Sequence, residues 1–334
     1  MLFRSLVCHA LSGDAHAAGY HRDPEKEKPG WWNFFIGPGK ALDTNRYFVI
    51  CSNFLGSCYG TTGPTSTDPR TRKPYGLNFP FITVRDMVEV QRRLIDHLRI
   101  PRLLAVTGGS LGGMQALQWA VSFPERVAGI IPIAATARMS AQGIAFNEVG
   151  RQAITGDPKW KGGGYDPDDG PDSGLALARM IGHITYLSEE SMHRKFGRRF
   201  INGSTHSYGF SRDFQVEKYL HHQGDRFVRR FDANTYLYLT RAMDYFDLEG
   251  EYGSLEKAFS RCRSAFLLVS FTSDWLFPPE QSREMLGALK RAGREVAYCN
   301  LESDQGHDSF LLEGNRLGDV LGGFLGRLST GGEG

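Results

Sequence analysis

The sequence predicts an α/β fold: a mostly parallel, doubly wound sheet carrying an inserted helical cap. Short apolar runs rich in β-branched residues alternate with helical patterns, and one long stretch interrupts that alternation. The runs are Ser5–Ala10, Tyr47–Asn53, Leu103–Thr107, Val127–Ala134, Ala265–Phe271 and Glu295–Leu301. Most lack strict polar alternation, as expected of parallel strands covered on both faces. Helices are expected at Thr83–Leu98, Leu111–Ser122, Pro279–Ala292 and Gly314–Leu328. In the first of these the apolar residues recur at helical spacing, and strand–helix alternation of this kind builds a doubly wound sheet.

From about Arg138 to Ser260 no strand-like run occurs, and a connector rich in Gly, Pro and Asp lies at Gly162–Gly174. An insertion of that length between two sheet strands is expected to form a separate, mainly helical cap. The expected division is a core of residues 1–137 and 261–330 with a cap of residues 138–260.

Composition narrows the function classes. The chain has 334 residues, 41% hydrophobic and 12% aromatic, enough to bury a sizeable core and to exclude disorder as the default. Lys plus Arg (39) nearly balances Asp plus Glu (37), so no field that would recruit nucleic acid or an anionic membrane is implied. No apolar run reaches the roughly 18 residues of a membrane span, and Met1–Ala10 reads as a strand rather than a signal peptide. The five cysteines are odd in number and scattered, without a CxxC pair. That argues against a disulfide framework or a zinc knuckle and for a reduced, cytoplasmic setting. No GxxxxGK[ST], no GxGxxG opening a βαβ unit and no HExxH occurs, so neither nucleotide-phosphate binding nor metal catalysis is implied. The adjacent His221 and His222 lack further ligand spacing and read as a solvated cap face.

The strongest motif is LLAVTGGSLGG at Leu103–Gly113. It places Gly108-Gly109-Ser110-Leu111-Gly112 between a buried strand and a helix, the context in which G-x-S-x-G forms the nucleophile elbow of an α/β-hydrolase fold. Ser110 is thus the candidate nucleophile. Its hydroxyl needs a base, and the base an orienting carboxylate, found in this fold in the order Ser, Asp/Glu, His after later strands. Asp274 follows the run Ala265–Phe271, and His307 follows Glu295–Leu301. His183, His193, His206, His221 and His222 fall in the cap instead. The oxyanion donors are expected to be the backbone N–H of Leu111 and, from the loop after the first strand, that of Leu11. Asp14 and His16 in that loop read as loop-shaping hydrogen-bonding groups.

These residues resemble a known family, the homoserine O-acetyltransferases, α/β-hydrolase-fold enzymes that use acetyl-CoA. The matching segments are CHALSGDAHAAG (Cys8–Gly19), GTTGP (Gly60–Pro64), FPFITVRDMV (Phe79–Val88), GGSLGGMQALQWA (Gly108–Ala120), LALARMIGHITY (Leu175–Tyr186), FDANTYLYLTRAMDYFD (Phe231–Asp247), SDWLFPPEQS (Ser273–Ser282) and GHDSFL (Gly306–Leu311). They span most of the chain, cap included.

Position by position, the resemblance implies nucleophile Ser110, acid Asp274 and base His307. It further implies that Arg179 takes the homoserine carboxylate, with Tyr186 beside it, and that Asp308 takes the amino group. A planar guanidinium grips a carboxylate bidentately, which suits that role. Similar enzymes that use succinyl-CoA carry an arginine near the position of Leu276, so leucine there favours acetyl. The implied activity is ping-pong acetyl transfer to L-homoserine in methionine biosynthesis, with acetyl-CoA as co-substrate and no permanently bound cofactor. The resemblance also implies a homodimer through the cap helices, although the aromatics of Tyr236–Phe246 fit cap core equally well. Relatives carry further residues before the CHAL block that contribute opening strands, so the sheet is expected to lack those strands and to leave an edge unpaired. Alternatives are serine as acceptor, a succinyl-CoA-using homologue, a simple esterase, or a non-catalytic binding protein of the same fold.

Overall fold

The computed structural model describes residues 3–22, 28–203, 205–312 and 316–330. Six strands form one parallel sheet: β1 (Phe3–Cys8), β2 (Tyr47–Cys51), β3 (Leu103–Gly109), β4 (Val127–Ile133), β5 (Ala265–Phe271) and β6 (Val296–Leu301), in the order β2-β1-β3-β4-β5-β6. Every expected run is a strand. The first ends two residues early, because His9 and Ala10 leave the ladder, and Met1 lies outside the described residues.

The helices are α1 (Val84–His97), α2 (Leu111–Ser122), α3 (Ala141–Thr155), α4 (Asp172–Tyr186), α5 (Glu189–Lys195), α6 (Gln215–Val228), α7 (Ala233–Asp244), α8 (Leu248–Tyr252), α9 (Leu255–Ser260), α10 (Pro279–Arg291) and α11 (Leu317–Thr330). Residues 314 and 315, expected to open the last helix, lie outside the described residues. Thr83 starts α1 through a reciprocal cap: its hydroxyl oxygen accepts from the Asp86 N–H at 3.3 Å, and the Asp86 carboxylate accepts from the Thr83 N–H at 2.8 Å. α2 is buried along its length from Leu111 to Val121. A helix enclosed on all sides has no polar face to declare itself.

Neighbouring strand residues feed opposite faces of the sheet. Leu6, Val106, Ile130 and Leu268 pack with Met87 of α1, Met114 of α2 and Leu289 of α10. Val7, Ala105, Ile131 and Leu267 pack with Leu317 and Leu321 of α11 and with Trp32. Both sets are apolar, which is why the strands read as continuous runs.

Between β4 and β5 the described residues form helices, turns and isolated bridges, and no ladder strand. There α4 packs on α3 and α6, and α7 packs on α3, while α9 reaches α2 and α10 and so returns the chain to the sheet. Tyr236, Tyr238, Met243 and Phe246 are buried within the chain.

The strand order reverses direction between β1 and β3, and open α/β sheets bind ligands beyond the carboxyl ends of strands at such a point. Cys8 pairs with Gly108 across these two strands. A Cβ on Gly108 or Gly112 would be driven into the Cys8 carbonyl oxygen, well inside van der Waals contact. Gly112→Ala should therefore lower stability by about 1–3 kcal/mol, the usual cost of overpacking. Gly323→Ala, on α11 where nothing lies within 4 Å of an added Cβ, should raise it by roughly 0.5–1 kcal/mol. Urea unfolding of the two variants checks both signs; a neutral Gly112→Ala would remove the claim of close approach.

Candidate active site

Ser110 stands between β3 and α2 with φ 57° and ψ −124°, a left-handed backbone that a side chain adopts only under constraint. Three hydrogen bonds supply it. The Ser110 N–H donates to Ile133 O (3.0 Å), and its carbonyl accepts from Gly113 N (2.9 Å) and Met114 N (3.1 Å). The residue is 7% exposed and opens into a narrow cavity of about 40 Å³ walled by Leu11, Phe146, Tyr186, Tyr236, Leu276 and Phe277, among others. A larger groove of about 470 Å³, around Lys195, Lys218 and His222, is lined by no Ser, Thr or Cys.

Leu111, as the first residue of α2, offers an N–H that no preceding helical turn can accept. Leu11, in the loop after β1, lines the same cavity. In that loop the Asp14 carboxylate accepts from the His16 N–H at 2.8 Å, and the His16 ring lies 3.0 Å from Gly19 O, so both residues shape the turn.

Asp274 and His307 meet in the interior. His307 Nδ1 is 2.8 Å from Asp274 Oδ2, with both side chains buried. The other carboxylate oxygen accepts from the N–H groups of Leu276 (3.0 Å) and Phe277 (2.9 Å), so the loop after β5 clamps its own acid. His307 sits on a short 3-10 turn, Gly306–Leu311. Its ring centroid lies 5.0 Å from that of Phe277 and 6.1 Å from that of Tyr186, two residues that also wall the Ser110 cavity. No hydrogen bond joins Ser110 to His307 among the described residues, and catalytic hydrogen bonds of this kind commonly tighten only when substrate binds. Burial would push the imidazolium pKa down, but the charge and hydrogen bond of Asp274, helped by Asp308, win and hold it above the ordinary histidine value.

The residues that the resemblance assigns to an amino-acid site lie near one another. Arg179 on α4 donates from Nη1 to Ser12 Oγ at 3.2 Å, and its guanidinium lies over the rings of Phe227 (4.7 Å) and Tyr186 (5.5 Å). Asp308 is half-buried beside His307, and burial raises its carboxyl pKa while His307 and Arg179 oppose the rise. The Tyr186 hydroxyl is likewise pushed up, by burial first and then by Asp308. His183 on α4 is pushed down to about 3, by burial and then by the charges of Arg179, Arg230 and Lys195.

Arg230 was not legible as a site residue. It donates from Nη1 to Ser12 O and to the Tyr59 hydroxyl, both at 2.9 Å, and its guanidinium also lies over the Phe227 ring, at 5.3 Å. Only its place just after α6 and the charge-dense run Arg226–Arg230 hinted at it. His221 and His222 are exposed on α6, as expected. Among the described residues no group of three or more His, Cys, Asp or Glu is placed to hold a metal ion, and no helix is long and apolar enough to cross a membrane.

Comparison with known proteins agrees with this geometry. The family model for the alpha/beta hydrolase fold matches residues 6–314. A homoserine O-acetyltransferase from Methanohalobium evestigatum is 57% identical over 96% of this chain, which spans 65% of that protein's length. One from Mesorhizobium japonicum is 56% identical over 96% of this chain and 82% of its own. Among solved structures, a mutant of esterase E22 superposes with TM-score 0.90 at 32% identity, covering 97% of this chain and 89% of that one. Homoserine O-acetyltransferase from Bacillus anthracis gives TM-score 0.89 at 31% identity, covering 97% and 88%. With the fold model matched over residues 6–314 and more than half of its residues identical to these two relatives over 96% of its length, the chain belongs to the homoserine O-acetyltransferase family of the α/β-hydrolase fold.

Proposed function

We propose that this protein moves the acetyl group of acetyl-CoA to the side-chain hydroxyl of L-homoserine through an acetyl-Ser110 intermediate. The observation that carries the reading is the buried Asp274–His307 pair, held beside the same cavity into which the strained Ser110 elbow opens. His307 accepts the Ser110 hydroxyl proton as the oxygen attacks the thioester carbonyl. The N–H groups of Leu11 and Leu111 stabilise the oxyanion. Collapse breaks the carbon–sulfur bond, and His307 returns the proton to the departing thiolate. Homoserine then binds, His307 takes its hydroxyl proton, attack on the ester carbonyl breaks the bond to Ser110 and gives O-acetylhomoserine, and His307 returns the proton to the serine oxygen. Ping-pong kinetics follow from this order.

Three features support the finer assignments. The cavity wall around Ser110 contains no Arg or Lys, so a succinyl carboxylate there would be buried without a cationic partner, at a cost. Leu276 contributes an apolar side chain to that wall, which favours acetyl. Arg179 and Asp308 place opposite charges near His307, which suits the carboxylate and ammonium ends of an amino-acid acceptor. Exposed Ile144 and Val149 on α3 and Leu177 and Ile184 on α4 favour the homodimer through cap helices that the resemblance implies.

A second reading, ester hydrolysis, is favoured by the likeness to esterase E22. Thiol release from acetyl-CoA, followed with homoserine, serine or water alone as acceptor, separates the readings. Release that needs homoserine for turnover fits the transferase, whereas equal turnover in water alone fits the hydrolase. Ser110→Ala should abolish even the first burst of thiol, and a surviving burst would end the covalent scheme.

The raised pKa of His307 fixes a direction with pH. Only the neutral imidazole accepts a proton, so kcat/KM should fall as pH drops through a value above the ordinary 6.5 or so. In Asp274→Asn the opposing charge is gone and burial remains. The acidic limb should then move to lower pH while the plateau falls by on the order of 10⁴; an unmoved limb would contradict the pairing. Arg179→Met should raise KM for homoserine by roughly 10–100-fold, the usual worth of a charged hydrogen bond, and leave the thiol burst nearly intact. Loss of the burst instead would assign Arg179 to the donor half-reaction.

A further inference from the structure

His9, at the end of β1, is wholly buried and does something the reaction scheme above does not use. Its ring stacks on Phe54 at 4.3 Å with planes 24° apart, and Nδ1 lies 2.9 Å from the carbonyl oxygen of Ala10. Nε2 is buried without a partner. A carbonyl cannot donate, so the proton of the neutral ring resides on Nδ1. Burial keeps the ring neutral, pushing its pKa down to about 4 against the pull of the Ala10 carbonyl and Asp14.

The Ala10 carbonyl accepts a second bond, from the Gly13 N–H at 3.0 Å. In a trans peptide the C=O of one residue and the N–H of the next lie in one plane and point in opposite directions. Two donors that pin the Ala10 oxygen therefore aim the Leu11 N–H the other way. They also polarise that peptide and strengthen its N–H as a donor.

Gln115 of α2 acts on the neighbouring peptides. Its Nε2 lies 3.4 Å from His9 O and 3.3 Å from Leu111 O. Its Oε1 accepts from Gln91 Nε2 at 2.7 Å, and Gln91 Oε1 accepts from Trp119 Nε1 at 2.9 Å. One side-chain amide, itself braced, thus bridges the two chain segments that carry Leu11 and Leu111.

We propose that His9 and Gln115 are positioning residues for acyl transfer: the His9 ring sets the direction of the Leu11 N–H, and the Gln115 amide sets its spacing from the Leu111 N–H. The proposal rests on the oxyanion assignment of Leu11 and Leu111 made above. Neither side chain reaches the reacting atoms, so both act through backbone amides.

Three variants of the full chain test this, with single-turnover thiol release from acetyl-CoA, KM and melting temperature as readouts. His9→Phe keeps the stack on Phe54, replaces the unpartnered Nε2 by carbon and deletes the donor. The acylation rate should fall by on the order of 10²–10³, as when an oxyanion donor is lost, with KM and melting temperature close to wild type. His9→Asn loses the stack but carries an amide N–H near the place of Nδ1. It should restore most of the lost rate while melting lower. Gln115→Met should lose about tenfold in rate with little change in KM, and it decides the matter if His9→Phe fails to fold. Activity that merely follows melting temperature across the three would overturn the proposal, as would wild-type acylation by His9→Phe. A Ser110→Ala control separates the two levels. Thiol burst in that control defeats the covalent reading itself, whereas a dead control beside a fully active His9→Phe defeats only the positioning.

Discussion

The contact on which the rest depends is the carbonyl of Cys8 pressed against the glycines of the β3–α2 turn. Parallel pairing of β1 with β3 brings the two strand ends level, and only the lack of a Cβ at Gly108 and Gly112 lets the turn close onto that oxygen. The closure carries Leu11 and Ser110 to one cavity. The same device recurs twice. A Cβ on Gly109 would enter the ring of Phe310, which lies on the 3-10 turn that bears His307. At Gly306, where φ is +73°, an added Cβ would come within 2.6 Å of Ser188 N and 2.7 Å of Tyr186 O at the α4–α5 junction. Close approaches at glycine therefore lock the Ser110 turn to the end of β1 and to the His307 loop, and the His307 loop to the α4–α5 junction. The unusual φ of Ser110 survives because these neighbours leave the turn no relaxed alternative.

Charge is distributed to match. Two histidines lie within reach of one ring, Tyr186, yet their protonation is driven apart. His183 faces Arg179, Arg230 and Lys195 and is held neutral. His307 faces Asp274 and Asp308 and is drawn toward the charged form. The neutral His183 takes a hydrogen-bonding role instead, with its Nδ1 2.9 Å from the Tyr219 hydroxyl. Asp308, raised by burial, ionises most easily when a cation sits beside it, and an ammonium group of a bound acceptor would supply that cation. Cations at one end and carboxylates at the other give the site a polarity that neither end would have alone.

How much of this could be read from the chain follows from where the forces act. Strands covered on both faces must be apolar throughout, so the six runs were visible, and helices with one wet face showed their period. Ser110, Asp274 and His307 were visible because each follows a strand directly, and strand ends are where this architecture gathers chemistry. The early end of β1 was not visible. It arises because the His9 ring turns to stack on Phe54, a contact between residues far apart in sequence. Gln115 looks like one more residue of a buried helix until its amide is seen bridging two carbonyls. Arg179 and Asp308 carried no local signal, since arginine on a helix and aspartate in a loop are usually solvated; only the resemblance singled them out. Arg230 shows what that route omits.

The likeness to an esterase bears on where selectivity lies. A structure that superposes at TM-score 0.90 shares the fold that carries Ser110, Asp274 and His307 here. Stabilising an oxyanion on Ser110 speeds attack by any oxygen nucleophile, water included, so this machinery cannot by itself favour a second substrate. Preference has to come from holding the acceptor hydroxyl at the acyl carbon more often than water finds it, and fixed orientation is worth many powers of ten in effective concentration. On the proposed reading the groups that hold such an acceptor come from the cap, in Arg179 and Tyr186 on α4, and from the loop that bears His307, in Asp308. The cavity at Ser110, about 40 Å³ and walled in part by Leu11, Phe146, Leu276 and Phe277, leaves little room for water beside a bound substrate. On the proposed reading the core supplies reactivity, and the cap decides which nucleophile benefits from it.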